Sequence, residues 1–173
     1  MSLWKLLEAG TPEKANIVIE IPRGSRNKYE YDREKGIFEL DRVLYTPFTY
    51  PLDYGFVPQT WYDDGDPIDA LVWLRYPVYP GTVVQGRVVG GLRMEDDKGV
   101  DDKLLFVPTT KKDPYFAHVQ DIEDVPQALK EEIEHFFARY KELEKKEVKV
   151  HGWFNKEEAI SIFERAKKLY QEL

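Results

Sequence analysis

The chain has 173 residues, of which 42% are hydrophobic and 14% aromatic, so it can build a substantial core and wholesale disorder is disfavoured. It contains no cysteine, which rules out disulfide scaffolds, zinc ribbons, iron–sulfur clusters and thiol catalysis. Its formal net charge of −7 argues against a general nucleic-acid or membrane-surface binder, because such proteins rely on an excess of lysine and arginine.

The sequence contains no stretch that approaches about 18 consecutive apolar residues, and its N-terminus lacks the apolar core of a signal peptide. We therefore expect a soluble, cytoplasmic protein. No internal repeat, low-complexity tract or Gly/Ser linker interrupts the chain, which predicts a single domain over residues 1–173. The charged fraction of 33% favours a thermostable protein.

Short strands are predicted for the first two-thirds of the chain. In residues 16–21 polar and apolar positions alternate, which places Ile17, Ile19 and Ile21 on one face and Val18 and Glu20 on the other. Further strands are predicted at residues 28–31, 37–40, 70–74, 83–94 and 103–107. Many short strands separated by turn signals indicate a sandwich or a closed barrel.

The last third of the chain changes to a helical period. A buried helical stripe is predicted to contain Leu129, Ile133, Phe136, Phe137, Tyr140 and Leu143. Asp124 is the predicted N-cap of this helix, with Pro126 in the first turn. A strand over residues 148–154 precedes a second helix, which begins at Asn155 with Glu158 completing a capping box. The predicted architecture is therefore α+β, a barrel or sheet flanked by helices.

The segment 63–69 crowds carboxylates around a glycine and a proline. Its acidic residues are Asp63, Asp64, Asp66 and Asp69. Such a segment is either a solvated acidic loop or a site for a hard cation such as Mg²⁺, which prefers oxygen ligands. An EF-hand is excluded because the position eleven residues after Asp64 is Arg75. An aspartyl-phosphate phosphatase is excluded because no βαβ pattern precedes the segment.

A second acidic cluster occupies residues 95–103, with Gly99 at a predicted hairpin tip. The alternation of side chains along a strand places Asp101 and Lys103 on one face, and it places Lys28 and Glu30 together in the same way. A cation beside a carboxylate suits a site for a metal and an anion. It suits a salt-bridged surface equally well.

The remaining candidates have plain structural interpretations when each is considered alone. Arg42 is expected to be an exposed arginine at the end of a strand, and Tyr54 belongs to an aromatic run that fits core packing. Tyr140 continues the buried helical stripe while Lys141 is its solvated neighbour. The sequence contains no nucleophile elbow, phosphate-binding loop or dinucleotide fingerprint.

Considered in order along the chain, these residues resemble the soluble inorganic pyrophosphatases of the first family, in their prokaryotic form. Residues 64–70, DGDPIDA, resemble that family's signature at every position of the pattern. The resemblance also covers residues 18–22, 28–30, 41–42, 50–55, the acidic hairpin up to Lys103, and 135–141. It implies a five-stranded closed β-barrel, OB-like, flanked by two C-terminal helices and extra short strands, and assembled as a homohexamer.

The resemblance further implies hydrolysis of inorganic pyrophosphate to two orthophosphates by a metal-activated water, without a covalent enzyme intermediate. The implied cofactor is Mg²⁺, several ions per subunit, with Mn²⁺, Zn²⁺ or Co²⁺ as possible substitutes. Asp66 resembles the general base, and Glu20 an acidic residue that organises the site through water. The implied metal ligands are Asp64, Asp69, Asp101, Asp96 and Glu30. The implied substrate-binding residues are Lys28, Arg42, Tyr54, Lys103, Tyr140 and Lys141.

Asp97 stands where sequences of that family often carry glutamate, so no accessory role is carried over to it. Two alternatives remain at this point. One is a non-catalytic barrel module that binds a partner or polyphosphate through the same surface. The other is a phosphatase of broader specificity that acts on nucleotides or sugar phosphates.

Overall fold

The computed structural model describes residues 2–173. The strands are β1 (Gly10–Thr11), β2 (Lys14–Ile21), β3 (Asn27–Asp32), β4 (Ile37–Val43), β5 (Asp53–Phe56), β6 (Asp69–Val72), β7 (Val83–Asp96), β8 (Gly99–Val100), β9 (Lys103–Pro108) and β10 (Lys149–Asn155). The α-helices are α1 (Leu3–Leu6), α2 (Gln127–Arg139) and α3 (Lys156–Gln171). Short 3₁₀ turns occur at Pro114–Phe116, Ile122–Asp124 and Glu142–Glu144. Within residues 2–173, the helices all fall short of the length and apolar character that crossing a bilayer requires.

Five strands form a closed ring in the order β2-β5-β6-β9-β7, and β7 pairs back onto β2. The neighbours in this ring are antiparallel except β6 and β9, which are parallel. Strand β1 pairs with β2 outside the ring. Strands β8 and β10 both pair with β7, and β3 and β4 form a separate hairpin. Helix α2 follows the last ring strand and α3 follows β10. The predicted α+β architecture, a closed five-stranded barrel with two C-terminal helices and extra strands, is confirmed.

The alternation predicted for β2 holds over only part of the strand. Ile17 and Ile19 pack in one buried cluster, whereas Ile21 packs in another together with Tyr50. The pairing of β2 with β5 shifts register between Ile19 and Ile21, and this bulge separates their faces. Glu20 lies within the bulge.

Helix α2 buries the apolar residues that the helical period predicted. Ile133, Phe136 and Phe137 are 4% exposed or less. Leu143 is 59% exposed, contrary to the prediction, because α2 ends at Arg139 and the following turn is 3₁₀ rather than α-helical. The periodicity therefore predicted the helix but overestimated its length.

The prediction that Asp124 caps α2 is wrong. Its carboxylate accepts hydrogen bonds from the backbone N–H groups of Gln120 and Asp121, at 2.9 and 3.1 Å, and so closes the preceding 3₁₀ turn. Pro126 precedes the first helical residue, and α2 has no side-chain cap. A capping side chain can serve either of two adjacent turns, and the local pattern does not distinguish between them.

Helix α3 begins as predicted, with Asn155 Oδ1 accepting the backbone N–H of Glu158 at 3.0 Å. The Glu158 carboxylate does not complete the capping box. It accepts a hydrogen bond from Arg93 at 2.6 Å and so ties α3 to β7. The helix buries a face of four residues against the ring, namely Ala159, Ile162, Phe163 and Ala166.

Candidate active site

A cleft of about 360 Å³ is lined by every residue to which the family resemblance gives a role. They are Glu20, Lys28, Glu30, Arg42, Tyr54, Asp64, Asp66, Asp69, Asp96, Asp101, Lys103, Tyr140 and Lys141. They come from β2, the β3–β4 hairpin, β5, the acidic loop before β6, the β7–β8 hairpin, β9 and the end of α2. Ring closure therefore brings together side chains that are up to about 120 positions apart in the sequence, as the numbering shows.

Three carboxylates converge at the centre of the cleft. One oxygen each from Asp64, Asp69 and Asp101 lies within 4.8 Å of the others. The turn at Gly65, whose φ is +78°, and a 3.1 Å hydrogen bond from the Asp66 N–H to Asp64 Oδ1 fold the acidic loop towards β6. This convergence supports the cation-site interpretation of the loop over the solvated one.

Burial dominates the electrostatics of this cluster. It raises the pKa of Asp64 to about 8, and the neighbouring charges of Asp69 and Asp101 act in the same direction. Burial likewise raises the pKa of Asp101 to about 6, although Lys103 opposes the shift. Crowded, partly desolvated carboxylates of this kind are stabilised by a positive charge. Their hard oxygen donors suit a divalent cation of the Mg²⁺ type.

Lys103 reaches into the same cluster. Its Nζ donates hydrogen bonds to Asp69 Oδ2 at 2.8 Å, to Asp101 Oδ1 at 3.0 Å and to the Tyr54 hydroxyl at 2.9 Å. Burial opposes its charge, but Asp69, Tyr54 and Asp101 together outweigh that effect, and the pKa of Lys103 lies well above its ordinary value. The shared strand face predicted for Asp101 and Lys103 is confirmed.

Asp66 stands apart from the three converging carboxylates. Its side chain is 58% exposed and forms an ion pair with Arg33, whose Nη2 lies 3.2 Å from Asp66 Oδ1. Burial of its inner part raises the pKa of Asp66, while Arg33 and Lys98 act in the opposite direction. A carboxylate that faces the cleft and does not coordinate a metal ion is suited to accept a proton.

Basic side chains line the wall formed by the β3–β4 hairpin. Cross-strand pairing places Lys28 opposite Arg42, and both contact Asp41. Lys28 also lies 3.7 Å from Glu30, which confirms their predicted shared face. The expectation that Arg42 is exposed is wrong: its side chain is 21% exposed, and its Nε lies 3.0 Å from a carboxylate oxygen of Glu144.

Four further groups in the cleft have a shifted pKa because they are desolvated. Burial raises the pKa of Glu20 to about 8, and its carboxyl accepts the backbone N–H of Tyr31 at 2.9 Å. Burial also raises the pKa of the Tyr54 and Tyr140 hydroxyls, so both keep their protons at neutral pH and can donate hydrogen bonds. The expectation that Lys141 is solvated is wrong, because its side chain is partly buried in the cleft and burial lowers its pKa.

Sequence reasoning missed several residues of this region. Asp41 lines the cleft, and the register of the β3–β4 hairpin could have indicated it. Arg33, also in the lining, and Glu144, behind Arg42, are not connected to their partners by any spacing in the sequence. Asp63, in contrast, is absent from the lining and pairs with Arg165.

A model of the inorganic pyrophosphatase family matches residues 17–171. The inorganic pyrophosphatase of Sulfolobus acidocaldarius is 49% identical over 158 residues, which cover 91% of each chain. The inorganic pyrophosphatase of Leifsonia xyli is 54% identical over 148 residues, covering 85% of this chain and 90% of that one. The crystal structure of inorganic pyrophosphatase from Thermus thermophilus superimposes with a TM-score of 0.94 at 47% identity and covers 99% of both chains.

Proposed function

Because the chain belongs to the inorganic pyrophosphatase family and hydrolyses inorganic pyrophosphate to two orthophosphates, we propose that water activated in the cleft attacks the substrate directly, with no covalent bond between enzyme and phosphate. The convergence of Asp64, Asp69 and Asp101 beside a basic wall is the observation that carries this proposal. Pyrophosphate carries several negative charges, so its binding requires positive groups around the three carboxylates.

The resident metal in this proposal is Mg²⁺, with Mn²⁺, Zn²⁺ or Co²⁺ as substitutes. Asp64, Asp69 and Asp101 would hold it, and Asp96 and Glu30 at the cleft edge would help to hold further ions. When bound, such cations supply a water of lowered pKa and neutralise phosphate charge. These residues fit a divalent metal ion chemically as well as in position. Their donors are all carboxylate oxygens, and burial disfavours the ionised carboxylates unless a cation is nearby.

We assign the proton transfer to Asp66, which accepts the proton of the attacking water. Asp66 lies outside the cluster of Asp64, Asp69 and Asp101, so its carboxylate is not needed as a ligand there, and its Oδ1 pairs with Arg33. Glu20, with a pKa of about 8, is largely protonated at pH 7 and can therefore both donate to and accept from a water in the cleft.

The phosphate oxygens are held by cations and hydroxyl donors in this scheme. The proposed substrate contacts are Lys28, Arg42, Tyr54, Lys103, Tyr140 and Lys141. Lys103 is fixed in advance by its three hydrogen bonds, and Arg42 by its contacts to Asp41 and Glu144. Charge that grows on the leaving phosphate is thus met by groups already oriented, which avoids reorganisation during the reaction.

Phosphate release from pyrophosphate tests this function directly. We expect rapid release with Mg²⁺ and none with EDTA, over ambient to elevated temperature. Asp66→Asn should lower kcat by about 10²–10⁴-fold, the usual contribution of a general base. Asp63→Asn is the matched control, because Asp63 lies in the same loop but does not line the cleft. Release from nucleotides or sugar phosphates at a comparable rate, or pyrophosphate binding without turnover, would contradict the proposal.

We also propose that residues 1–173 fold as one domain and assemble as a homohexamer. Contacts between α3 and distant earlier segments support the single unit: Lys167 Nζ donates to the Gly10 carbonyl at 2.7 Å, and the Trp61 N–H donates to the Ala166 carbonyl at 3.0 Å. One cooperative unfolding transition tests the first statement, and light scattering after size-exclusion chromatography tests the second. Cytoplasmic location and thermostability stay predictions, which cell fractionation and thermal melting would test.

A further inference from the structure

Arg33 occupies an unusual position at the edge of the cleft. Its Nη2 lies 3.2 Å from Oδ1 of Asp66, and its Cζ lies 5.0 Å from the ring centre of Trp4 and 5.1 Å from that of Trp61. The two indole rings are 5.6 Å apart. One guanidinium therefore contacts two aromatic faces and one carboxylate at once, which fits the planar charge of arginine better than the compact ammonium of lysine.

Of the two indole rings that contact Arg33, that of Trp4 is fixed by hydrogen bonds and by a further aromatic contact. Trp4 is 9% exposed, its Nε1 donates to the Thr60 carbonyl at 3.0 Å, and its own carbonyl accepts the N–H of Gln59 at 2.9 Å. The ring of Tyr170, from α3, meets Trp4 edge-on at 5.2 Å. The short helix α1 is thus hydrogen-bonded to the segment that leads into the acidic loop. Its Trp4 ring packs against the Arg33 guanidinium.

We propose that Arg33 is a positioning residue that fixes the orientation of the Asp66 carboxylate towards the cleft, with Trp4 and Trp61 as its support. The inference rests on the proposed role of Asp66 as proton acceptor. An exposed aspartate at a loop can rotate freely about its side-chain bonds, and an acceptor that points the wrong way does not catalyse. The ion pair with a guanidinium that is packed against two indole rings restricts that rotation.

A direct contact between Arg33 and substrate is the competing explanation, because Arg33 lines the cleft. The two explanations differ in kinetics. A group that positions Asp66 acts on the proton transfer and lowers kcat, with KM for pyrophosphate little changed. A group that binds substrate in the ground state raises KM.

The test uses Arg33→Met, which keeps a long side chain without the charge, and Arg33→Lys as the conservative variant. We expect Arg33→Met to lower kcat about 10- to 100-fold with KM within about twofold of the parent, as for a loss of orientation alone. Arg33→Lys should recover part of that loss, and Trp61→Leu should lower kcat in the same direction by a smaller factor. Arg139→Met is the control: Arg139 is 55% exposed, pairs only with Glu142 among the salt bridges of residues 2–173, and does not line the cleft.

A double-mutant cycle with Asp66→Asn decides whether Arg33 acts through Asp66. If it does, adding Arg33→Met to Asp66→Asn causes little further loss, because the group being oriented is already gone. Losses that multiply, a raised KM with unchanged kcat, or a normal kcat in folded Arg33→Met would each overturn the positioning role. Near-normal kcat in Asp66→Asn alone would overturn the proposed role of Asp66 instead. Thermal melting of each variant confirms folding, and if Arg33→Met does not fold, the same cycle is run with Arg33→Lys.

Discussion

The hydroxyl of Tyr62 donates a 2.8 Å hydrogen bond to Oδ2 of Asp102, and the two residues are 5% and 3% exposed. The bond joins the loop that carries Asp64 to the segment that carries Asp101. The other oxygen of the Asp102 carboxyl accepts the N–H of Met94 at 3.3 Å, which anchors that segment to β7. Two residues outside the cleft thereby hold two of its three central carboxylates at a fixed separation.

Tyr62→Phe should weaken both folding and metal binding. It removes one partner from a buried carboxylate, which costs about 1–3 kcal/mol of unfolding free energy. Tyr62 and Asp102 are not themselves proposed ligands, but they fix the segments that carry Asp64 and Asp101, so we expect metal affinity to fall by up to about 10-fold, the lower end of the effect of losing a direct partner of a ligand. Denaturant unfolding and calorimetric titration with Mg²⁺ measure the two effects. Tyr79→Phe is the control, since Tyr79 is 86% exposed. Equal stability and equal affinity in the two variants would contradict the prediction.

Local sequence patterns predicted most of the secondary structure. They did not predict side-chain contacts between residues that are far apart in the sequence. Alternation and helical periodicity predicted α2, α3 and four of the five ring strands, and side-chain parity placed Lys103 beside Asp101, since each of these relations is local in the sequence. The fifth ring strand, β5, was not predicted, because its four residues belong to an aromatic run that also fits core and turn packing. Helix α1 has four residues, too few to show a period. The contact between Tyr62 and Asp102 spans 40 positions, and it forms because β6 and β9 pair in parallel with Asp69 opposite Lys103.

Glu144→Gln should impair substrate binding through Arg42. The Glu144 carboxylate is 8% exposed and lies 3.0 Å from Arg42 Nε, so it fixes the guanidinium that faces the cleft. We expect KM for pyrophosphate to rise severalfold, by about 1 kcal/mol of lost binding energy, with a smaller change in kcat. The control is Glu142→Gln, in the same turn, where the carboxylate is 57% exposed and pairs with Arg139. A lowered KM would instead mean that Glu144 competes with phosphate for Arg42.

Gly55→Ala should destabilise the ring beside Tyr54. A Cβ at Gly55 would lie 1.9 Å from the backbone oxygen of Val18, so β2 and β5 would have to separate. We expect a loss of about 3 kcal/mol or more of unfolding free energy, since a backbone clash cannot be relieved by a rotamer change. Gly24→Ala is the comparison, because that position is open and only its φ of +88° opposes a side chain, at about 1 kcal/mol. Denaturant unfolding of the two variants should rank them in this order.

Stability of the metal-free protein should fall as pH rises from about 4 to about 8. The folded-state pKa values of Asp64 and Glu20 are raised to about 8 and that of Asp101 to about 6, from ordinary values of 3.8, 4.5 and 3.8. In this window the unfolded chain has released protons that the folded chain retains. The folded state therefore binds more protons, and the free energy of unfolding decreases with pH.

Mg²⁺ should reverse this loss, and its effect should grow with pH. Cation binding requires ionised carboxylates and therefore releases protons, so the rise in Tm on adding millimolar Mg²⁺ should be larger at pH 8 than at pH 5. Melting curves in EDTA and in Mg²⁺ at both pH values measure this. Asp64→Asn should reduce the difference, because it removes one ligand together with its shifted proton, whereas Asp63→Asn should preserve it. The same rise in Tm at both pH values would show that the three carboxylates are already ionised without a cation.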